Sequence, residues 1–314
     1  LQYAYHCTWH TCIEEDFVMY KKSTIAIVVT YNRLELLKEN INALTTCIGP
    51  ENILVVDNHS TDGTDKYLED EHITYIRMQS NEGGAGGFSR GIVEGIKRGY
   101  KYLWIMDDDT IPYPDSLNKL LDAAGIVKSN FGFLASYVEW TDQTPCIMNM
   151  PELIPGLNRD EIEYESKGII KCNRASFVSM LINRDAVIES GLPIKEFFIW
   201  GDDTEYSNRL AKASPCYFVP SSIVLHKMKN NTPTDIITDS KDRLERYKLL
   251  YRNQTYMARM KGKKDSNINT IWILYQILKV VKSSTSQKMK RIKIILSGWN
   301  AGRHFNPQIK FVDK

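Results

Sequence analysis

The sequence predicts an α/β protein: a mixed, mainly parallel, Rossmann-like sheet flanked by helices, with a helical C-terminal extension. Short β-branched apolar runs alternate with helical periods as far as residue 109. Polar or acidic loops close the runs, and beyond residue 239 only helical periodicity remains. At 314 residues and 43% hydrophobic, the chain can bury the core of one large domain with an appendage, or of two small ones.

Thr24 to Thr30 (TIAIVVT) is the first expected strand, apolar enough to be buried on both faces. Leu34, Leu37, Ile41 and Leu44 then repeat at three and four residues, which makes one face of a helix. Ile53 to Val56 is a second strand, and the polar loop Asp57 to Gly63 can cap a helix starting near Thr64. Thr74 to Met78 is a third strand, leading into a glycine-rich loop at Asn81 to Gly87. A helix over Phe88 to Arg98 and a strand over Tyr102 to Met106 follow. Phe133 to Trp140 and Ala175 to Ile182 read as strands, Asn158 to Lys171 as a polar insert, and Asp203 to Ala213 as a helix. Tyr247 to Met260, Thr270 to Val281 and Lys288 to Leu296 read as helices. The expected division is therefore an extension at 1–22, a catalytic domain at 23–238 and a basic helical region at 239–314. Residues 1–18 show no periodicity and precede a natural start at Met19, so they receive no catalytic role.

Charge is unevenly spread. Residues 241–314 hold 18 basic and 4 acidic groups, whereas residues 1–240 hold 22 basic and 34 acidic ones. A basic tail on an acidic body suits an anionic partner such as a membrane surface, a lipid-linked acceptor or nucleic acid. Ile271, Leu274, Ile277, Leu278 and Val281 can share a helical face flanked by Lys279 and Lys282, a pattern suited to a membrane interface or to packing on the body. The six cysteines lack metal-site spacing and read as reduced thiols. Ile268 to Val281 is too short and too polar to span a bilayer. The expected location is cytoplasmic, with peripheral attachment to the inner face of the plasma membrane.

Asp107, Asp108 and Asp109 directly follow a strand, and three carboxylates so close raise one another's pKa unless a cation offsets them. Oxygen ligands of this kind suit Mn²⁺ or Mg²⁺, the more so when a diphosphate adds further ligands; the alternative is a solvated acidic turn. The glycines of Asn81 to Gly87 allow close backbone approach, and a helix N-terminus can face an anion, yet the same residues can be a flexible turn. Trp200 to Glu205 (WGDDTE) sets an aromatic that could stack on a sugar beside a carboxylate that could take a hydroxyl proton. Asp202 or Asp203 could equally cap the following helix. His226, at the end of Ile223 to Leu225, is by itself as well explained as a structural residue.

Taken together, VVTYNR at 28–33, VVDNHSTDGT at 55–64, NEGGAGGFSRG at 81–91 and WIMDDD at 104–109 resemble the family-2 glycosyltransferases of GT-A fold. The likeness extends through IWGDDTEYSNRL at 199–210, VLHK at 224–227 and YRN at 251–253. Within the family it is strongest toward bacterial galactofuranosyltransferases, with rhamnosyltransferases near. The resemblance implies a UDP-sugar donor held by Thr30, Arg33 and Asp57, by the Asn81, Gly83, Gly84 and Gly87 segment and by the acidic motif including Asp107 and Asp108. It implies a metal on Asp107, Asp109 and His226. It implies a base at Asp203, with Asp202 beside it and Trp200 toward a glycan or lipid-linked acceptor. Displacement at the anomeric carbon would invert its configuration. Polymerising relatives carry a large N-terminal β domain without counterpart here, so a single addition is expected. UDP-galactofuranose is the expected donor and dTDP-rhamnose the alternative. A nucleotidyltransferase would place a glycine-rich basic loop after its first strand, which Thr30 to Arg33 is not. A nucleic-acid-binding protein could use the tail, but the acidic body opposes phosphate and no binding motif is present, so no nucleic-acid partner is expected.

Overall fold

The computed structural model describes residues 20–312, so the expectation for residues 1–18, together with Cys7 and Cys12, lies outside the described residues. Strand β1 (Thr24–Thr30) is wholly buried. Its alternating side chains face opposite layers: Ala26 and Val28 join one hydrophobic core, Ile25, Ile27 and Val29 the other. This two-sided burial is why the run reads as continuously apolar.

Helix α1 (Leu34–Cys47), β2 (Ile53–Asp57), α2 (Thr64–Asp70) and β3 (Tyr75–Arg77) follow in the expected order. Next comes α3 (Gly83–Lys97), which starts five residues before the expected Phe88 and so takes in most of the glycine segment. Then come β4 (Tyr102–Asp107), β5 (Thr110–Pro112), α4 (Ser116–Ile126) and β6 (Phe133–Glu139). β7 (Glu152–Leu153) precedes the polar insert, which contains α5 (Arg159–Ser166) and the start of β8 (Ile170–Arg174). It is followed by β9 (Met180–Asn183), α6 (Arg184–Ser190), α7 (Asp202–Ala213) and β10 (Tyr217–His226).

One ten-stranded sheet runs β3-β2-β1-β4-β9-β6-β10-β8-β7, with β5 paired to β10. β1 to β4 are mutually parallel. β9 enters antiparallel between β4 and β6, and β10 returns parallel to β6. The carboxyl ends of β1, β2, β4, β6 and β10 therefore share one sheet edge, where ligands bind in open α/β sheets. Helices α1 and α4 cover one face, while α3, α6 and α7 cover the other.

The C-terminal region forms α8 (Tyr247–Lys261), α9 (Lys263–Lys282) and α10 (Lys288–His304). These pack around Tyr247, Tyr251, Ile273, Val280, Ile294 and Ile295, with Trp200 against the same cluster. Cys47, Cys146, Cys172 and Cys216 are buried thiols. Among the described residues no helix is long and apolar enough to cross a membrane.

Candidate active site

Strand β4 ends at Asp107, and the chain turns through Asp108 and Asp109 into β5, whose antiparallel pairing sets Thr110 opposite His226. That register brings the acidic turn to the end of β10. One ligand atom each from Asp107, Asp109 and His226 lie within 4.8 Å of one another. His226 Nε2 is 3.1 Å from Asp109 Oδ1, and His226 Nδ1 is 3.0 Å from Asn149 Oδ1. Two carboxylates and an imidazole oriented by its second nitrogen are a donor set that fits a divalent cation. Lys227 N donates to the Asp109 carbonyl at 2.8 Å, and Asn40, buried on α1, donates to the Thr110 carbonyl at 2.5 Å.

Asp108 turns the other way: the Thr30 hydroxyl donates to its Oδ2 at 2.8 Å, and Arg33 Nη1 donates to its Oδ1 at 3.2 Å and to Asp109 Oδ2 at 2.6 Å. Burial pushes Asp107 up to about 7, with the charges of Asp109 and Asp108 adding to the rise. Asp108 rises to about 6 through burial, against the pull of Arg33. Burial also works on Asp109, but the hydrogen bonds and charges of His226 and Arg33 outweigh it and hold this carboxyl at about 2. Arg33 is held cationic by the three aspartates, although burial acts the other way. Thr30, Arg33 and the triplet are thus one cluster. Asp57 stands apart on β2, fully buried, accepting from Ser60 N at 2.8 Å and lying 3.4 Å from Arg77 Nη1.

The glycine segment differs from a loop. Gly87, Gly91 and Gly95 lie on one face of α3, where a Cβ would meet Val29 at 2.5 Å, Ile27 at 2.4 Å and Leu103 at 2.7 Å. Gly87 therefore turns its Cα hydrogen to the sheet, where glycine serves helix–strand packing. Gly83, at φ +72, abuts the Phe198 carbonyl, which a Cβ would approach to 2.0 Å. Gly84 is the open position: a Cβ there would lie 4.0 Å from Asp202 Oδ2. Asn58 joins this corner to β2, donating to the Gly83 carbonyl at 2.8 Å and accepting from Glu82 N at 3.0 Å, while Asn81 accepts from Gly83 N at 2.8 Å.

Asp202 and Asp203 open α7, but neither is its cap; Gly201 holds that position at φ +86. Asp203 Oδ1 accepts from Thr204 N at 2.6 Å. Burial pushes Asp202 up to about 8, with the charge of Asp203 adding to it, and burial raises Asp203 as well. Trp200 packs on Tyr247 with ring centroids 5.0 Å apart and stays half-buried, and the exposed aromatic beside it is Phe198. Asn149, Asn58 and Asn253 are site residues that sequence reasoning assigned no role, although Asn58 and Asn253 fell within noted motifs.

The sequence profile described as Glycosyl transferase family 2 matches residues 25–139, from β1 through the acidic turn to β6. Residues 25–139 are a family-2 glycosyltransferase domain. The galactofuranosyltransferase GlfT1 of Mycolicibacterium smegmatis is 26% identical over 206 residues, covering 60% of this chain and 65% of the relative. The undecaprenyl-phosphate mannosyltransferase of Micrococcus luteus is 32% identical over 104 residues, covering 32% of this chain and 43% of the relative. The chain thus spans less than two thirds of the length of these curated relatives. Among solved structures, GalNAc-T7 with UDP, GalNAc and Mn²⁺ superposes with a TM-score of 0.54 at 16% identity, covering 74% of this chain and 47% of that one. The glycosyltransferase fold is accordingly GT-A-like, with the helices α8 to α10 added at its C-terminal end.

Proposed function

We propose that the protein is an inverting, metal-dependent glycosyltransferase that moves a sugar, galactofuranose from UDP-galactofuranose first, to a glycan or lipid-linked acceptor of a bacterial surface polysaccharide. The observation that carries this reading is the meeting of Asp107, Asp109 and His226 at the same sheet edge as a second, half-buried carboxylate pair at Asp202 and Asp203. The similarity to galactofuranosyltransferases supports the donor, and the solved Mn²⁺ complex of a GT-A-like neighbour supports the cation. dTDP-rhamnose is the alternative donor.

Asp107, Asp109 and His226 would hold Mn²⁺ or Mg²⁺, which when bound offsets the charge developing on the departing nucleoside diphosphate. Of the two aspartates, Asp202 is raised to about 8 by burial and by the charge of Asp203. Asp203, with the Thr204 N–H and the charge of Arg174 favouring its ionised form, is the base. It receives the proton of the acceptor hydroxyl as that oxygen bonds to the anomeric carbon. The bond from that carbon to the diphosphate oxygen breaks on the opposite face, and the configuration inverts. Asp57 and Asn58 bound the nucleotide side, while Gly84 leaves room for the donor beside Asp202. A thermal-shift panel of nucleotide sugars tests the reading. UDP-galactofuranose should raise Tm only with Mn²⁺ present, and a chelator should remove the gain; equal shifts with and without metal would refute metal dependence.

An anionic membrane surface is the partner we assign to the C-terminal region. Ile268, Ile271, Leu274, Tyr275, Leu278 and Val281 form an exposed stripe along α9, while Ile273 and Val280 face the bundle. Lys263 and Lys264 precede the stripe and Lys282 follows it, which matches acidic headgroups. The protein should sediment with phosphatidylglycerol vesicles at low salt and not with phosphatidylcholine vesicles. Ile271→Glu with Leu278→Glu should abolish sedimentation; self-association through the stripe without vesicle binding would overturn the assignment.

A further inference from the structure

The segment that delivers Asp202 and Asp203 is an unusual piece of backbone. Phe198, Trp200 and Gly201 all sit at positive φ, +67°, +66° and +86°. Two of the three carry large side chains, for which this conformation costs on the order of 1–3 kcal/mol each and persists only where surroundings enforce it. The enforcement comes from α8. Asn253 is fully buried, and its amide Nδ2 lies within hydrogen-bond distance of three loop carbonyls: Phe197 at 3.1 Å, Ile199 at 3.1 Å and Trp200 at 2.8 Å. Its Oδ1 accepts from Arg252 Nε at 2.9 Å, and Arg252 Nη2 in turn donates to the Glu196 carbonyl at 2.6 Å and to the Phe197 carbonyl at 3.1 Å.

The Phe198 carbonyl, left free by this clamp, points to the first turn of α3 and accepts from Ala85 N at 3.2 Å. Gly83 is tolerated there because any side chain would strike that same carbonyl. One strained loop therefore ties three things together: α8, the start of α3 beside the open Gly84 position, and the aspartate pair at the head of α7.

We infer that Asn253, with Arg252 behind it, is a positioning residue for sugar transfer: it fixes the backbone from Phe197 to Gly201 so that the Asp202–Asp203 pair faces the donor bound beside Gly84. This inference rests on Asp203 being the base, so its test must separate the two. Asn253→Asp keeps the shape of the side chain but replaces the donor amide with a carboxylate facing three carbonyl oxygens. Asn253→Ala removes the clamp, and Arg252→Ala loosens it from the less buried side. In the full-length protein each variant should lower kcat, Asn253→Asp by about 100-fold or more, while KM for the nucleotide sugar stays within about threefold. Hydrogen exchange should quicken over residues 197–203 while α8 stays protected. Asp203→Asn, measured alongside, should be inactive with unchanged exchange. Should Asp203→Asn stay active, the assignment of the base fails, and the exchange result alone then decides whether Asn253 holds the loop. Unchanged exchange over residues 197–203 in folded Asn253→Ala, or kcat and KM of wild type in Asn253→Asp, would overturn the inference. If Asn253→Ala does not fold, the same two readouts on Arg252→Ala decide it.

Discussion

Asp202 and Asp203 occupy the same helical turn, yet their surroundings treat them differently. Burial raises Asp202 to about 8, whereas Asp203 has the Thr204 N–H at 2.6 Å and the nearby Arg174 opposing its own rise. A carboxyl raised on folding binds its proton more tightly in the native state than in the unfolded one. Its contribution to stability is therefore complete below the unfolded pKa near 3.8 and is lost as pH climbs toward about 8. Asp202→Asn should accordingly raise Tm at pH 8 by about 2 °C or more, with the gain shrinking toward pH 4, as calorimetry across that range would show. Asp203→Asn should instead lower kcat by about 100-fold or more and leave nucleotide-sugar binding nearly intact; retained turnover would remove Asp203 from the role of base.

At the scale of elements, α3 shows how glycine can serve packing inside a helix. Gly87, Gly91 and Gly95 let the helix lie directly on β1 and β4, so Gly91→Ala should destabilise the protein by about 1–3 kcal/mol in urea unfolding, with Ile27 the atom group displaced. Gly84→Ala meets nothing closer than 4.0 Å and should be neutral or stabilising by up to about 1 kcal/mol. A rise in donor KM with stability intact would mark Gly84 as the position against which the donor lies. The helix start was misplaced from sequence because glycine is a poor helix former, and only contact with the sheet overrides that preference. By contrast β1 and α1 were legible, since their periodicities report burial on two faces and on one. Helix α4 was passed over although Leu117, Leu120, Leu121 and Ala124 repeat at helical spacing. Most of β10 was hidden because a register shift between Val219 and Ile223 breaks its alternation around Pro220. The grouping of Asp107 and Asp109 with His226 came from resemblance alone, because the β5 register that joins them leaves almost no trace in so short a strand. The packing of Trp200 on Tyr247 was not legible, because an aromatic beside an aspartate looks the same in sequence whatever its ring meets.

Across the whole molecule, the boundary expected at residue 238 divides elements that work together. All the residues clustered around Asp109 lie before it, but the clamp on the Phe197–Gly201 backbone and the partner of Trp200 lie after it, on α8. A chain ending at residue 238 should therefore keep the His226 cluster but transfer no sugar, and hydrogen exchange over residues 197–203 should be fast in it; a fragment with full activity would show the helices to be dispensable. The same arrangement orders events during synthesis. At about 5–20 residues per second, the stretch from the end of β10 to the end of α8 takes seconds to emerge. Until then β1 to β10 can already be joined, with the donor side formed and the aspartate pair not yet set. The order of synthesis thus completes the sheet before the clamp on the aspartate pair, and a nascent chain would carry the one for seconds without the other.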